Sequence, residues 1–358
     1  MKKLKAGLIG GTGMVGQRFA ILLENHPWFE VTAIAASERS AGKTFEEAVA
    51  GRWAMQKPIP EALKNIKVLD ASKVSKVADK VDLVFCAIDL DKAATRALEE
   101  EYAKAEVPVI SNNSAHRMTP DVPMLIAEVN GAHIDVIEAQ KKRLGTKRGF
   151  IVVKPNCSLQ SYVPALHPLL DFGIDKVLAC TYQAISGAGK TFESWPEMID
   201  NVIPYIAGEE QKSEQEPLKI WGTIQNGQIV PAASPSFTTQ CIRVPASDGH
   251  LAAVFATFKN KPSKEEIIQR WRSFEAEPQK LNLPSAPKPF IQYFEEDNRP
   301  QTKLDRDAGN GMAICTGRLR EDTQYDYKFV CLSHNTVRGA AGGGVLSAEL
   351  LSAKGYIK

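Results

Sequence analysis

Cys157 stands where a nucleophile is expected. It follows Pro155-Asn156 and a strand-like apolar run, Phe150 to Val153, and it precedes an amphipathic stretch, Ser158 to Leu170, that predicts a helix. A thiol at a helix start lies in the partial positive charge of the exposed peptide N–H groups, which favours thiolate over thiol. Asn156 adds an amide able to hydrogen-bond a reacting carbonyl. The remaining cysteines, at 86, 180, 241, 315 and 331, form no C-x-x-C pair and no regular spacing, so neither a zinc site nor a disulfide framework is expected. Cys86 and Cys331 lie inside apolar runs and are expected as core fillers.

A second motif supplies a redox partner. Gly11-Thr12-Gly13-Met14-Val15-Gly16 directly follows the first strand candidate and opens the first helix candidate. In that position one glycine makes the tight turn, one lets the backbone approach a pyrophosphate and one allows close helix packing, while the helix N-terminus faces the phosphate charge. At the end of the second strand the chain reads Ser37-Glu38-Arg39-Ser40. An acid here binds the ribose hydroxyls of NAD, whereas Arg39 beside the hydroxyls of Ser37 and Ser40 suits the 2′-phosphate of NADP. NADP is the expected cofactor, with recognition by Glu38 as the alternative. A hydride carrier beside an activated thiolate points to acyl transfer through a thioester, coupled to reduction or oxidation.

Such a thiol needs an acid or base. His26, His133 and His167 fall in helical or helix-flanking segments with no polar constellation around them. His116 and His334 sit beside glycine- or asparagine-containing turns. His250 comes at a strand start with Arg243 upstream, so it can face the same cleft as Cys157.

The elements that must position these groups fall into two patterns. The first alternates short apolar runs, Ala6 to Ile9, Val31 to Ala35, Ile66 to Leu69, Leu83 to Ala87 and Val107 to Ile110, with helical spacing over Gly13 to Leu23 and Asp91 to Lys104. This predicts βαβ units in a doubly wound parallel sheet. After about residue 150 come longer strand candidates, Lys176 to Ile185, Leu251 to Phe258, Met312 to Arg318 and Tyr325 to Ser333, which favour a mixed or antiparallel sheet covered by helices. The proline-rich stretch from Pro278 to Pro300 is expected as a long irregular excursion, and Arg338 to Leu351 returns to helix. A formal net charge of +2 gives no reason to invoke nucleic acid or a membrane surface. With no apolar run of bilayer length and a start that passes at once into a strand, a cytoplasmic protein is expected.

Together the glycine fingerprint, Pro155-Asn156-Cys157-Ser158, the run Tyr182 to Gly189, Gly208-Glu209-Glu210-Gln211-Lys212, Arg243 through His250 and Asn335 resemble the aspartate-semialdehyde dehydrogenase family, in its archaeal and fungal branch. The resemblance spans essentially the whole chain. It implies an α/β fold like that of glyceraldehyde-3-phosphate dehydrogenase: a Rossmann domain over 1–155, a catalytic and dimerisation domain of α+β type over 156–335, and a closing helix, 336–358, that returns to the first domain. It also implies the roles. Cys157 would be the nucleophile, His250 the acid and base, and Gln183 the residue orienting the acyl group. Arg243 would take the substrate carboxylate and Glu209 its ammonium, although adjacent Glu210 leaves that register open. Arg117 and Lys212 would hold the phosphate, and Asn335 with Ser186, Gly187 and Gly189 would lie against the nicotinamide. The implied reaction is NADP-dependent reductive dephosphorylation of aspartyl 4-phosphate to aspartate 4-semialdehyde, a step towards lysine, threonine and methionine, in a homodimer or homotetramer without metal. Malonyl-CoA reductase shares the scaffold but needs room for coenzyme A, and N-acetyl-γ-glutamyl-phosphate reductase gives Glu209 no cation. A redox-sensing NADP-binding regulator is the alternative outside enzymology; the thiol, histidine and cofactor set speaks against it.

Overall fold

Short runs of Ala, Ile, Leu and Val with no polar face can only sit where both sides are covered, and the first six strands do so. In the computed structural model, which describes residues 2–358, β1 (Leu4–Ile9), β2 (Phe29–Ala36), β3 (Leu69–Asp70), β4 (Leu83–Cys86), β5 (Val109–Ser111) and β6 (Ile151–Val153) form one sheet. All neighbours are parallel, in the order β3-β2-β1-β4-β5-β6. The order reverses between β1 and β4, which opens a crevice at the carboxyl ends of these strands. Helix α1 (Met14–Leu22) starts at that crevice. Helix α2 (Lys92–Lys104) follows β4, with the Asp91 side chain accepting from the N–H groups of Ala93 and Ala94 at 2.9 Å each. The run expected as a strand from Ile66 contributes only β3, because the backbone of 66 to 68 is already bonded to the loop from Gly42 to Phe45.

The second sheet is mixed. Its strands are β7 (Ile174–Gln183), then, after a small hairpin of β8 (Thr223–Gln225) and β9 (Gln228–Val230), β10 (Ser236–Arg243), β11 (His250–Phe258), β12 (Ile291–Phe294), β13 (Ile314–Glu321) and β14 (Tyr327–Ser333), in the order β10-β7-β11-β14-β13-β12. β7 and β11 bury alternate residues, the period of two that a one-sided sheet requires. Helices α3 (Glu209–Ile220) and α4 (Lys264–Ser273) belong to this half, the latter started by a capping box between Ser263 and Glu266. The stretch 278 to 300 is less irregular than expected: it carries β12, which pairs in parallel with β13.

Ser158 to Leu170 is not one helix. A 3₁₀ turn at Ser158–Gln160, a single α-turn at Val163–Leu166 and a second 3₁₀ segment at His167–Phe172 replace it. Pro164 and Pro168 lack the N–H groups a continuous helix would need there.

The last helix, α5 (Gly342–Ala353), packs against α1 and the first sheet, with Leu346 and Leu350 fully buried in the cluster that holds Phe19, Phe85 and Ile110. Each such leucine contributes about 1.5–3 kcal/mol. A buried ion pair and a buried hydrogen bond fix the docking: Arg338 donates to both oxygens of Glu128 at 2.8 and 2.6 Å, and His26 Nε2 lies 2.9 Å from Glu349. His26 therefore has the polar setting that its sequence neighbourhood does not display. No helix among the described residues is long and apolar enough to cross a membrane.

Candidate active site

Three strands of the second sheet end where β6 of the first sheet ends. The parallel register of β7 and β10 sets Gln183 beside Arg243, β11 begins at His250, and β6 delivers Asn156 and Cys157 three and four residues beyond Val153, its last paired position. Cys157 Sγ lies 3.4 Å from His250 Nε2. The backbone N–H of Ala184 donates to the other ring nitrogen, Nδ1, at 3.1 Å.

Around this pair the polar groups are held rather than loose. Glu209, at the first turn of α3, accepts from Asn156 Nδ2 at 2.9 and 3.0 Å, from Gln183 Nε2 at 3.3 Å and from Lys212 Nζ at 2.9 Å. Asn156 Oδ1 accepts in turn from the backbone N–H and hydroxyl of Ser158. Glu210 points away and accepts from Gln240 and the Cys241 N–H on β10, so Glu209 is the acid that faces the cleft. Arg243 is buried, donates to the Ala184 carbonyl at 2.7 Å, and has no carboxylate within ion-pair distance among the described residues. A buried guanidinium lacking an anion is a site for one. Arg117 is buried as well, pinned by the Lys154 carbonyl at 2.9 Å, the Asn112 carbonyl at 3.2 Å and Glu216 at 3.0 Å.

Electrostatics correct one expectation. The Cys157 thiol is pushed up to about 12, first by burial and next by the Glu209 carboxylate, against the pull of Arg117 and Arg243. Both causes oppose the thiolate expected at a helix start, and the helix there is reduced to one 3₁₀ turn. His250 is pushed down to about 3 by burial and by Arg243. Both shifts favour the neutral forms, a thiol facing an imidazole.

The glycine loop meets the demands of a dinucleotide. A Cβ at Gly11 would fall 2.6 Å from Ile34 Cγ2, and one at Gly16 would collide with the backbone of Gly10 and Gly11, whereas one at Gly13 would make only an ordinary contact, 3.5 Å from the Gly10 carbonyl oxygen. The left-handed turn itself is made by Gly10, at φ +80°, which precedes the fingerprint and was not singled out by it. Thr12, Gly13 and Met14 line a groove of about 810 Å³ whose far wall is Gly189, and Met14 with Ser186 continues it into a recess of about 320 Å³ that ends at His334. Val15 is half-buried beside them on α1. Asn335 donates to the Ser186 hydroxyl at 2.9 Å and accepts from the Gly249 N–H at 2.8 Å, and Gly187 lies so close to Arg243 and His250 that a Cβ would stand 2.9 and 3.0 Å from them. At the other end Ser37 and Glu38 line a recess of about 530 Å³; Arg39 is exposed outside it and Ser40 turns inward. The cradle fits a nicotinamide dinucleotide, with Ser37 and Glu38 at one end of it.

Sequence reasoning missed Glu216, Lys219 and Lys154. Lys219 Nζ donates to the carbonyls of Arg117, Thr119 and Val122 at 2.6, 2.7 and 2.9 Å. Lys154 is buried, and its amine is pushed down to about 7 by burial and by Arg338. The spacing Glu209, Lys212, Glu216, Lys219, which puts all four on one helix face, was the available signal. His116 and His133 are buried in structural bonds, to Thr119 and Arg96 and to Asn130 and Gly222, and stand apart from Cys157.

Comparison with known proteins gives a consistent set. The model of the semialdehyde dehydrogenase NAD-binding domain matches residues 5–137, and that of the semialdehyde dehydrogenase dimerisation domain matches 166–338. The chain is 44% identical over 349 residues to the aspartate-semialdehyde dehydrogenase of Archaeoglobus fulgidus, covering 98% of both. It is 43% identical over 364 residues to that of Aspergillus fumigatus, covering 99% of both. The crystal structure of aspartate semialdehyde dehydrogenase with NADP from Candida albicans superposes with a TM-score of 0.88 at 39% identity, over 99% of this chain and all of that one.

Proposed function

The chain belongs to the aspartate-semialdehyde dehydrogenase family, and on that premise we propose that it catalyses the NADP-dependent interconversion of aspartyl 4-phosphate and aspartate 4-semialdehyde through a thioester on Cys157. The observation that carries the reading is the pair of buried arginines, Arg243 and Arg117, whose charges both act on Cys157 beside its 3.4 Å contact with His250. A substrate with a carboxylate, an ammonium and a phosphate needs two cationic sites and one anionic site. Arg243 is assigned to the carboxylate, Glu209 to the ammonium, and Arg117 with Lys212 to the phosphate.

In the reductive direction the Cys157 sulfur attacks the acyl carbon, the bond to the phosphate oxygen breaks, and the thiol proton leaves with the departing phosphate, which Arg117 and Lys212 receive. Gln183 and Asn156 offer amide N–H groups near the acyl oxygen, while the Ser186 to Gly189 loop and Asn335 close the nicotinamide side. NADPH, when bound, supplies the hydride that takes the thioester to the aldehyde level. His250 then donates its Nε2 proton to the acyl oxygen and recovers it as the carbon–sulfur bond breaks, which releases the semialdehyde and leaves a Cys157 thiolate that takes up one proton from solvent. A thioester suits this role because its carbonyl stays more electrophilic than that of an oxygen ester. Residues 1–155 with 336–358 are taken as the nucleotide domain and 156–335 as the catalytic one. A cytoplasmic homodimer or homotetramer completes the proposal.

One assay tests it. Purified protein receives aspartate semialdehyde, inorganic phosphate and NADP, and reduced nicotinamide is followed by absorbance; malonyl-CoA with NADPH is the competing pair. Phosphate-dependent reduction of NADP supports the proposal, and oxidation of NADPH by malonyl-CoA alone removes it.

A further inference from the structure

Helix α3 carries an alternating charged stripe where a helix normally hides apolar residues. Glu209, Lys212, Glu216 and Lys219 recur at i, i+3, i+7 and i+10, which aligns them along one face. That face points inward: Glu209, Glu216 and Lys219 are 8%, 3% and 1% exposed. Apolar residues would pack there at lower desolvation cost, so the charges call for a positional explanation.

The Glu216 carboxylate spans two partners outside its helix, Arg117 of the nucleotide half and the segment that carries the nucleophile. Its Oε1 accepts from Arg117 Nη1 at 3.0 Å, and its Oε2 accepts from the backbone N–H of Asn156 at 2.6 Å, one residue before the nucleophile. The guanidinium is fixed on its remaining sides by the carbonyls of Lys154 and Asn112, which end β6 and β5. One turn further along α3, Lys219 gathers three carbonyls of the Arg117 loop. Arg117 and the Cys157 segment thus move with α3 or not at all.

We propose that Glu216 is a positioning residue that joins the phosphate-binding arginine to the segment bearing the nucleophile, so that occupancy of the phosphate site is transmitted to Cys157. This rests on Arg117 being the phosphate ligand. The link is mechanical and specific, because one carboxylate must reach both a side chain and a main-chain N–H. A glutamine keeps the reach but places an N–H donor against one of two donors. An aspartate keeps the charge but falls a methylene short. Linkage makes the effect reciprocal: phosphate alters the reactivity of Cys157, and the state of Cys157 alters the affinity for phosphate.

The test uses the whole enzyme in the oxidative direction with inorganic phosphate as the varied ligand. Glu216→Gln and Glu216→Asp are each expected to raise the KM for phosphate by about tenfold or more, while the KM values for semialdehyde and NADP stay within about twofold. In the parent enzyme, saturating phosphate is expected to change the rate of Cys157 alkylation by iodoacetamide; in both variants this response disappears. A uniform loss across all substrates with a lowered Tm, or an alkylation response to phosphate that survives in either variant, overturns the proposal. Glu216→Asp keeps the experiment decisive should the glutamine variant fail to fold. Arg117→Leu is run alongside: a phosphate KM unmoved by that change sinks the assignment of Arg117 itself, whereas a raised one with normal Glu216 variants sinks the positioning role alone.

Discussion

The backbone N–H of Ala184 points at His250 Nδ1 from 3.1 Å, and this contact decides where the imidazole proton sits. A donor aimed at Nδ1 requires a lone pair there, so the neutral ring carries its proton on Nε2, the nitrogen 3.4 Å from Cys157 Sγ. His250 is thereby set as a donor to whatever negative charge develops near the sulfur. Replacement by asparagine, which keeps an N–H donor but cannot give up its proton, should lower kcat by about 10²-fold or more with little change in the KM for NADP, as steady-state rates would show. An unchanged kcat would remove His250 from proton transfer.

With the Cys157 thiol pushed up to about 12, its alkylation in the ligand-free enzyme should be slow at pH 7 and climb about tenfold per pH unit between pH 7 and 10. The sign follows from burial and Glu209, both of which disfavour the thiolate. A rate already at its plateau near pH 6 would mean that the empty site ionises the sulfur after all.

Arg243 is buried with no carboxylate partner among the described residues. Arg243→Leu should raise the KM for semialdehyde by about 10²-fold, since a charged, desolvated hydrogen bond of this kind is worth roughly 2–3 kcal/mol, and it should leave the phosphate KM nearly unchanged. Initial-rate measurements with each substrate varied in turn separate the two. An equal rise in both would place Arg243 elsewhere than on the carboxylate.

Cofactor choice rests on adjacent side chains with opposite charge. Arg39→Ala should weaken NADP by about tenfold and spare NAD, whereas Glu38→Gln should shift the ratio further towards NADP. The kcat/KM ratio for the two cofactors is the readout, and identical ratios in both variants would put recognition in the hydroxyls of Ser37 and the local backbone.

Buried neutral histidines make the fold sensitive to acid. His250, His167 and His334 are pushed down from 6.5 to about 3, 4 and 4, in each case first by burial. A depressed histidine is neutral in the folded chain but protonates near pH 6.5 in the unfolded one, so the unfolded state binds more protons and stability falls as pH drops from about 6 to 4. Three such groups give a slope of about 4 kcal/mol per pH unit in that window. Urea unfolding at pH 7 and pH 5 checks it; equal midpoints would mean that these rings are protonated in the native state.

The parallel sheet and the cofactor loop were legible because each is local: an apolar run, a glycine at a strand end. Ser158 to Leu170 misled because its apolar spacing outweighed Pro164 and Pro168, whose missing N–H groups decide the outcome. The charge state of Cys157 was not legible, since it depends on Glu209, Arg117 and Arg243, all distant in sequence and brought together only by the register of β7 and β10 and the docking of α3. Glu216 escaped notice for a related reason: on paper it continues an ordinary exposed helix face, and only the fold turns that face inward.

The covalent role of one sulfur is tested most directly by Cys157→Ala, assayed for phosphate-dependent reduction of NADP by aspartate semialdehyde, with NADP affinity measured on the same sample by fluorescence quenching or calorimetry. The account predicts that turnover falls by about 10⁴-fold or more while the Kd for NADP stays within about twofold. Turnover above about one per cent of the parent rate, with the cofactor still bound, would contradict it.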